Sequence, residues 1–212
     1  MNIDIRNVPS YWMTCDKSIG ERQDGFVEMQ KSIGMNSEKM SGAITENYCI
    51  GVAEEYIKAL TKNPVPFLIL EDDARVNPNL VDFPYTYDVD EDVDALYIGT
   101  SIVGRINKKT VIGVAAQDRG DYFQIYNMLS FHAVIYTSQE YVDNCVKILE
   151  EYIVNPVGSC DDPLAEDMSR WKVMAVKTPV FYQNDGRNEG MTLTPLTETG
   201  IKRENTYFGP PL

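Results

Sequence analysis

The stretch Pro66-Phe67-Leu68-Ile69-Leu70-Glu71-Asp72-Asp73-Ala74 sets an apolar run directly against three consecutive carboxylates. A short continuous apolar run of this length has the pattern of a strand buried on both faces. The acidic residues end it abruptly. Each carboxylate pair repels by up to about 4 kcal/mol at an effective dielectric near 20. In open α/β sheets, ligands bind just beyond the carboxyl ends of strands. Carboxylates placed there need solvent or a cation, and a hard divalent ion bound to a diphosphate supplies one. A solvated turn with helix-capping aspartates fits the same three residues.

Outward from this stretch, strands and helices alternate. Tyr11 to Cys15 reads as a first strand, and Arg22 to Ile33 has apolar residues at near-helical spacing. Ile44, Tyr48, Val52, Tyr56 and Leu60 recur every four residues and predict a helix over 43–60. Ser41 or Thr45 is its expected cap, and Asn63-Pro64 its stop. Beyond the acidic motif, Ala95–Gly99, Thr110–Ala116 and Phe131–Tyr136 read as strands. Ser138 is placed to cap a helix whose apolar face is Tyr141, Val142, Cys145, Leu149, Tyr152 and Ile153. A short helix from Leu164 to Trp171 and strands at 172–176 and 180–182 follow, and the residues from Asp185 onward read as loop. This alternation predicts a single α/β domain over residues 1–212, with a mostly parallel central sheet flanked by helices.

The chain has 212 residues and a net charge of −13, from 32 acidic and 19 basic side chains. That balance argues against a protein built to grip a nucleic-acid backbone. The longest apolar run, Val65 to Leu70, is far short of the roughly 20 residues a membrane helix needs, so no span is expected. Met1-Asn2-Ile3-Asp4 lacks the charged-then-apolar pattern of a signal peptide. The four cysteines, at 15, 49, 145 and 160, form no CxxC pair, which points to free thiols in a reducing compartment such as the cytoplasm. With one histidine, His132, a zinc site built on Cys and His spacing is not expected.

Pro66 to Ala74 resembles the acidic motif of GT-A-fold glycosyltransferases, in the family 25 lipooligosaccharide galactosyltransferases. Other segments resemble that family in the same order: Arg22 after the first strand, Gly42-Ala43-Ile44, Asp94 to Thr100, His132 to Tyr136, Asp162-Pro163-Leu164, and Pro179 to Asp185. The likeness spans residues 10 to 186 and leaves 187–212 as a loop-rich tail. The family's Ser-His in the long helix stands here as Glu46-Asn47, and its Asp-Arg as Glu21-Arg22. The resemblance implies transfer of a sugar from a nucleotide-sugar donor, a UDP-sugar in the usual case, to a glycan or glycoprotein hydroxyl. It also implies a Mn²⁺ or Mg²⁺ ion under the diphosphate. Asp73 is then the first-choice metal ligand, with Glu71 beside it. Thr14, Arg22, Glu71, Asp72 and Gln183 are the candidate donor-binding residues.

Cys160-Asp161-Asp162-Pro163 is a second acidic site. An inverting transfer needs a carboxylate to deprotonate the acceptor. Asp162 matches the family best, and Asp161 is its neighbour. The same residues suit a helix start, where acidic side chains and a proline at the first position are favoured. Asp88, Asp90, Asp92 and Asp94 alternate as in a calcium loop, but Val93 and Gly99 stand where an EF-hand needs Gly and Glu. His132 lies in an apolar run, as a core histidine does. Tyr11, Trp12, Tyr122, Phe123 and Tyr126 could stack on a base or a sugar, or fill the core. A sugar-nucleotide nucleotidyltransferase and a non-catalytic acidic binding domain are the competing readings.

Overall fold

The computed structural model describes residues 1–14, 20–41, 45–185 and 189–197. Cys15, Gly42-Ala43-Ile44 and the end of the chain, including most of the expected tail, lie outside the described residues.

The fold is a mixed α/β sheet with helices on both faces. Strands β1 (Asn2–Asp4) and β2 (Ser10–Thr14) come first, then helix α1 (Glu21–Ser32) and β3 (Glu38–Ser41). Helix α2 (Tyr48–Leu60) leads to β4 (Phe67–Glu71), β5 (Ala74–Val76), β6 (Thr86–Asp88) and β7 (Ala95–Tyr97). Five strands with no helix between them follow: β8 (Val103–Ile106), β9 (Lys109–Ile112), β10 (Ala116–Asp118), β11 (Tyr122–Ile125) and β12 (Ala133–Tyr136). The last elements are α3 (Gln139–Val154), α4 (Asp162–Asp167), a single 3₁₀ turn (Met168–Arg170), β13 (Val173–Val176), β14 (Phe181–Gln183) and α5 (Glu189–Leu193).

The main sheet has eight strands in the order β10-β11-β13-β7-β12-β4-β2-β3. Three neighbouring pairs are parallel (β2 with β3, β2 with β4, β13 with β7) and four are antiparallel. The sheet is therefore mixed, where a mostly parallel one was expected. The reason lies between Ala95 and Tyr136, where no helix intervenes. Without a crossover helix, successive strands return antiparallel, and β12 enters between β4 and β7 against both.

Side-chain alternation along β4 feeds two cores. Phe67 and Ile69 pack with Tyr56, Ala59 and Leu60 of α2 and with Tyr141, Cys145 and Leu149 of α3. Leu68 and Leu70 pack on the other face with Trp12 and with Phe26 and Met29 of α1. Ser138 caps α3 as expected, accepting from the Tyr141 amide. Helix α2 starts later than expected because Asn47 takes the cap, accepting from the Cys49 amide, and Ser41 ends β3 instead. The expected strand at 110–116 divides between β9 and β10, and α5 occupies part of the expected loop. Tyr11, Trp12 and Phe123 are core residues. The acidic loop closes on Lys172, whose Nζ meets Asp90 at 3.2 Å and Asp92 at 2.6 Å. Cys49, Cys145 and Cys160 are free. No helix among the described residues is long and apolar enough to cross a membrane.

Candidate active site

Strands β2, β4 and β7 point the same way, so their carboxyl ends share one edge of the sheet. Beyond that edge lies a cleft of about 700 Å³. Glu71 closes β4, and Asp72 and Asp73 form the turn into β5. β5 pairs antiparallel with β14, with Gln183 opposite Ala74. That pairing carries Gln183 across the fold to donate from Nε2 to Glu71 Oε2 at 2.9 Å. The Asn184 amide ties the same corner down by donating to the Asp73 carbonyl at 2.9 Å.

Arg22, near the start of α1, neutralises the turn. Its Nε lies 2.5 Å from Asp72 Oδ1 and its Nη2 3.1 Å from Asp73 Oδ2. The two aspartates differ in outlook. Asp72 is buried and accepts from the Thr14 hydroxyl at 2.6 Å. Asp73 lines the cleft, and its Oδ1 is buried with no hydrogen-bond partner among the described residues. A carboxylate at a strand end is expected to be exposed, yet Asp73 is only 2% exposed. Burial pushes its carboxyl up to about 6, with Asp72 and Asp185 adding to the shift and Arg22 opposing it. Glu71 is held well above the usual carboxylate range by burial, then by Asp73, with Asp161 and Asp72 contributing and Arg22 again opposing.

The turn before α4 supplies the second carboxylate. Asp161 lines the cleft, its Oδ1 buried and without a partner among the described residues. Burial raises its carboxyl above the ordinary value, with Asp162 adding to the shift and a hydrogen bond from Ser159 opposing it. Asp162 goes elsewhere. Its Oδ2 lies 3.0 Å from Arg105 Nη2, and Arg105 Nε reaches Glu166 at 3.1 Å. Arg105 belongs to the β8–β9 hairpin, whose turn residues Asn107 and Lys108 both have positive φ, as a tight two-residue hairpin requires. Asp162 thus lines a separate cleft of about 560 Å³ on the far side of the turn.

Thr14, Arg22, Glu71, Asp72, Asp73, Gln183 and Asp161 therefore come together, and Asp162 does not join them. Sequence reasoning missed Ser130, which lines the cleft and pairs with His132: Ser130 Oγ lies 2.6 Å from His132 Nδ1. His132 is fully buried with Nε2 3.1 Å from the Phe181 carbonyl, and burial pushes its pKa down to about 4. A Cβ on Gly99 would overlap the imidazole ring, so the glycine makes the room. The signal was Ser130-Phe131-His132, a serine two residues before the one histidine and just ahead of β12.

Whether the site suits a divalent ion turns on its oxygens. Among the described residues no three Asp, Glu, His or Cys side chains converge as a ready cage. Magnesium-like ions are commonly held by one or two carboxylates, with substrate phosphates and water completing the shell. The unpartnered Asp73 Oδ1 beside Glu71 fits that mode.

No protein-family model and no curated protein matches the sequence. Among solved structures, the fold is similar to that of a glycosyltransferase involved in the glycosylation of the major capsid of PBCV-1. The TM-score is 0.50 at 11% identity, covering 86% of this chain and 95% of that one. A likeness to a chlorella-virus enzyme of this kind, expected from the chain length and Pro210-Pro211-Leu212, is not tested by the structure, because those residues lie outside the described ones. The CTP:phosphocholine cytidylyltransferase of Streptococcus pneumoniae matches at TM-score 0.40 and 10% identity, over 84% of this chain and 93% of that one. A glycosyltransferase of the same bacterium matches at 0.40 and 9%, over 90% and 58%. At these identities the likeness is one of fold.

Proposed function

We propose that the chain is a metal-dependent, inverting glycosyltransferase that moves a sugar from a nucleotide-sugar donor, of the UDP-sugar kind, to a glycan or glycoprotein hydroxyl. The observation that carries this reading is the convergence of Asp73, Glu71, Arg22 and Gln183 with Asp161 in one cleft. Its volume, about 700 Å³, suits a nucleotide sugar.

Asp73 and Glu71 would hold Mn²⁺ or Mg²⁺, and such an ion neutralises charge on a departing diphosphate without proton transfer. Arg22, already spanning the acidic turn, adds a fixed positive charge for the same oxygens. Thr14 and Asp72, joined by their own hydrogen bond, shape the nucleoside end, and Gln183 holds Glu71 in place. Asp161 is the candidate base. A raised carboxyl pKa brings it nearer the working pH, where a general base is most effective. It takes the acceptor hydroxyl's proton as that oxygen bonds to the anomeric carbon and the sugar–phosphate bond breaks. Arg105, in binding Asp162 and Glu166, fixes the turn that presents Asp161.

Thermal melts with UDP and Mn²⁺ test donor binding. Ligand at about 100 times its dissociation constant stabilises by roughly 2.7 kcal/mol. A panel of nucleotide sugars scored for metal-dependent hydrolysis tests the chemistry. No shift and no hydrolysis would sink the reading in favour of an acidic binding domain. Turnover of a nucleoside triphosphate with a sugar phosphate would replace it with nucleotidyl transfer.

A further inference from the structure

The Ser130–His132 pair has a fixed hydrogen-bond direction. A carbonyl oxygen only accepts, so the contact from His132 Nε2 to the Phe181 carbonyl, 3.1 Å, places the proton on Nε2. In a neutral imidazole the other nitrogen is then bare. The Ser130 hydroxyl, 2.6 Å from Nδ1, must donate its single proton there. What Oγ has left are lone pairs. Ser130 is 6% exposed, and the cleft is the space it lines. The pair is also anchored to the acidic motif, because the Glu71 amide donates to the His132 carbonyl at 3.1 Å.

We infer that Ser130 Oγ is an obligatory hydrogen-bond acceptor in the cleft, that it receives a hydroxyl of the donor's sugar, and that it discriminates against phosphate and carboxylate oxygens. This rests on the glycosyltransferase reading. The sugar is the part of the donor assigned because Ser130 and Glu71 line the same cleft, and a sugar joined to a diphosphate held there would lie near Glu71. A serine free to rotate could donate to phosphate; this one cannot without abandoning a buried nitrogen. A group that lacks a proton to give would leave two sets of lone pairs facing each other in a site with little water.

Two measurements on the full chain decide it. His132 is the one histidine, so ¹⁵N-histidine labelling reports this ring without assignment. The expected result is the Nε2–H tautomer across pH 6–8. A ring protonated on Nδ1 would make Ser130 the acceptor for histidine and overturn the inference. Calorimetric titration with Mn²⁺ then compares UDP with a panel of UDP-hexoses and their mono-deoxy analogues. For the hexose bound most tightly, Ser130→Ala should weaken binding about 3–10-fold, the range of one neutral hydrogen bond, while UDP stays within twofold. One deoxy analogue should show the same loss with the wild type and no further loss with Ser130→Ala. Ser130→Cys, which keeps a weak donor for Nδ1 and is a poor acceptor, gives the same readout if the alanine variant is unstable. Equal weakening of UDP and UDP-hexose, or none of either, overturns the inference alone. A wild type that binds neither UDP nor UDP-hexose overturns the glycosyltransferase reading and the ligand assigned here with it.

Discussion

Asp161→Asn and Asp162→Asn, adjacent and chemically identical changes, should have opposite consequences. Asp162 is ion-paired to Arg105 at 3.0 Å, with side chains 11% and 15% exposed. Removing one partner of a buried pair costs about 3–5 kcal/mol when the other is left uncompensated. Here Arg105 keeps Glu166, and asparagine still offers an oxygen, so we expect about 1–2 kcal/mol. For a domain of this size that lowers Tm by roughly 2–8 °C. Chemistry should fall by less than about tenfold, because Asp162 faces the other cleft. Asp161 is the reverse case. Its carboxylate is buried, unpartnered at Oδ1 and raised in pKa, so its charge is disfavoured in the folded state. A neutral isostere removes that cost, and Tm should hold or rise. Loss of a general base should reduce metal-dependent transfer or donor hydrolysis by about 10²–10⁴-fold, with donor affinity within a few-fold of wild type. The assay is parallel: a thermal melt and a single-turnover rate for each variant. A large rate loss at Asp162 with Asp161→Asn fully active would refute the placement. Equal mild losses at both, with equal drops in Tm, would reduce the segment to an acidic helix start.

Asp73→Asn should abolish the contribution of Mn²⁺ to UDP binding while Tm changes by less than about 1 kcal/mol equivalent, because the lost charge was itself buried at a cost; unchanged Mn²⁺-dependent affinity would remove Asp73 from the site. Chelation should stop activity without unfolding the chain, whose two cores are built of apolar side chains, and a circular-dichroism melt in EDTA checks this. His132, with its pKa lowered from 6.5 to about 4, binds its proton first in the unfolded state as pH falls. Its share of stability, at most about 3 kcal/mol, is therefore present above pH 6.5 and lost between 6.5 and 4. Urea melts of wild type and His132→Gln at pH 7 and pH 5 should show that loss in the wild type alone. Gly99→Ala should lower stability by about 1–3 kcal/mol through overlap with the His132 ring, and a melt as stable as wild type would contradict the tight contact.

Local pattern in the sequence determined the elements with strong periodicity or a clear boundary. β4 and its acidic end were legible because a buried strand must be apolar throughout and a ligand edge need not be. Ser138 and α3 were legible because capping and amphipathic spacing are set within a few residues. The acidic turn, Arg22, Gln183 and Asp161 could each be named as candidates. What pattern does not carry is direction and distance between segments far apart in the chain. The antiparallel insertion of β12 depends on which strand ends a helix-free segment brings together. Gln183 reaches Glu71 only because β14 pairs with β5 across the fold. The family resemblance favoured Asp162 over Asp161, and spacing could not correct it, since neighbours in a turn point different ways. The Arg105 hairpin, more than fifty residues earlier, settles which carboxylate is bound in an ion pair and which is left facing the cleft. Local rules act over a few residues and write themselves into the sequence, whereas the burial and charge of a site are sums over everything that packs around it.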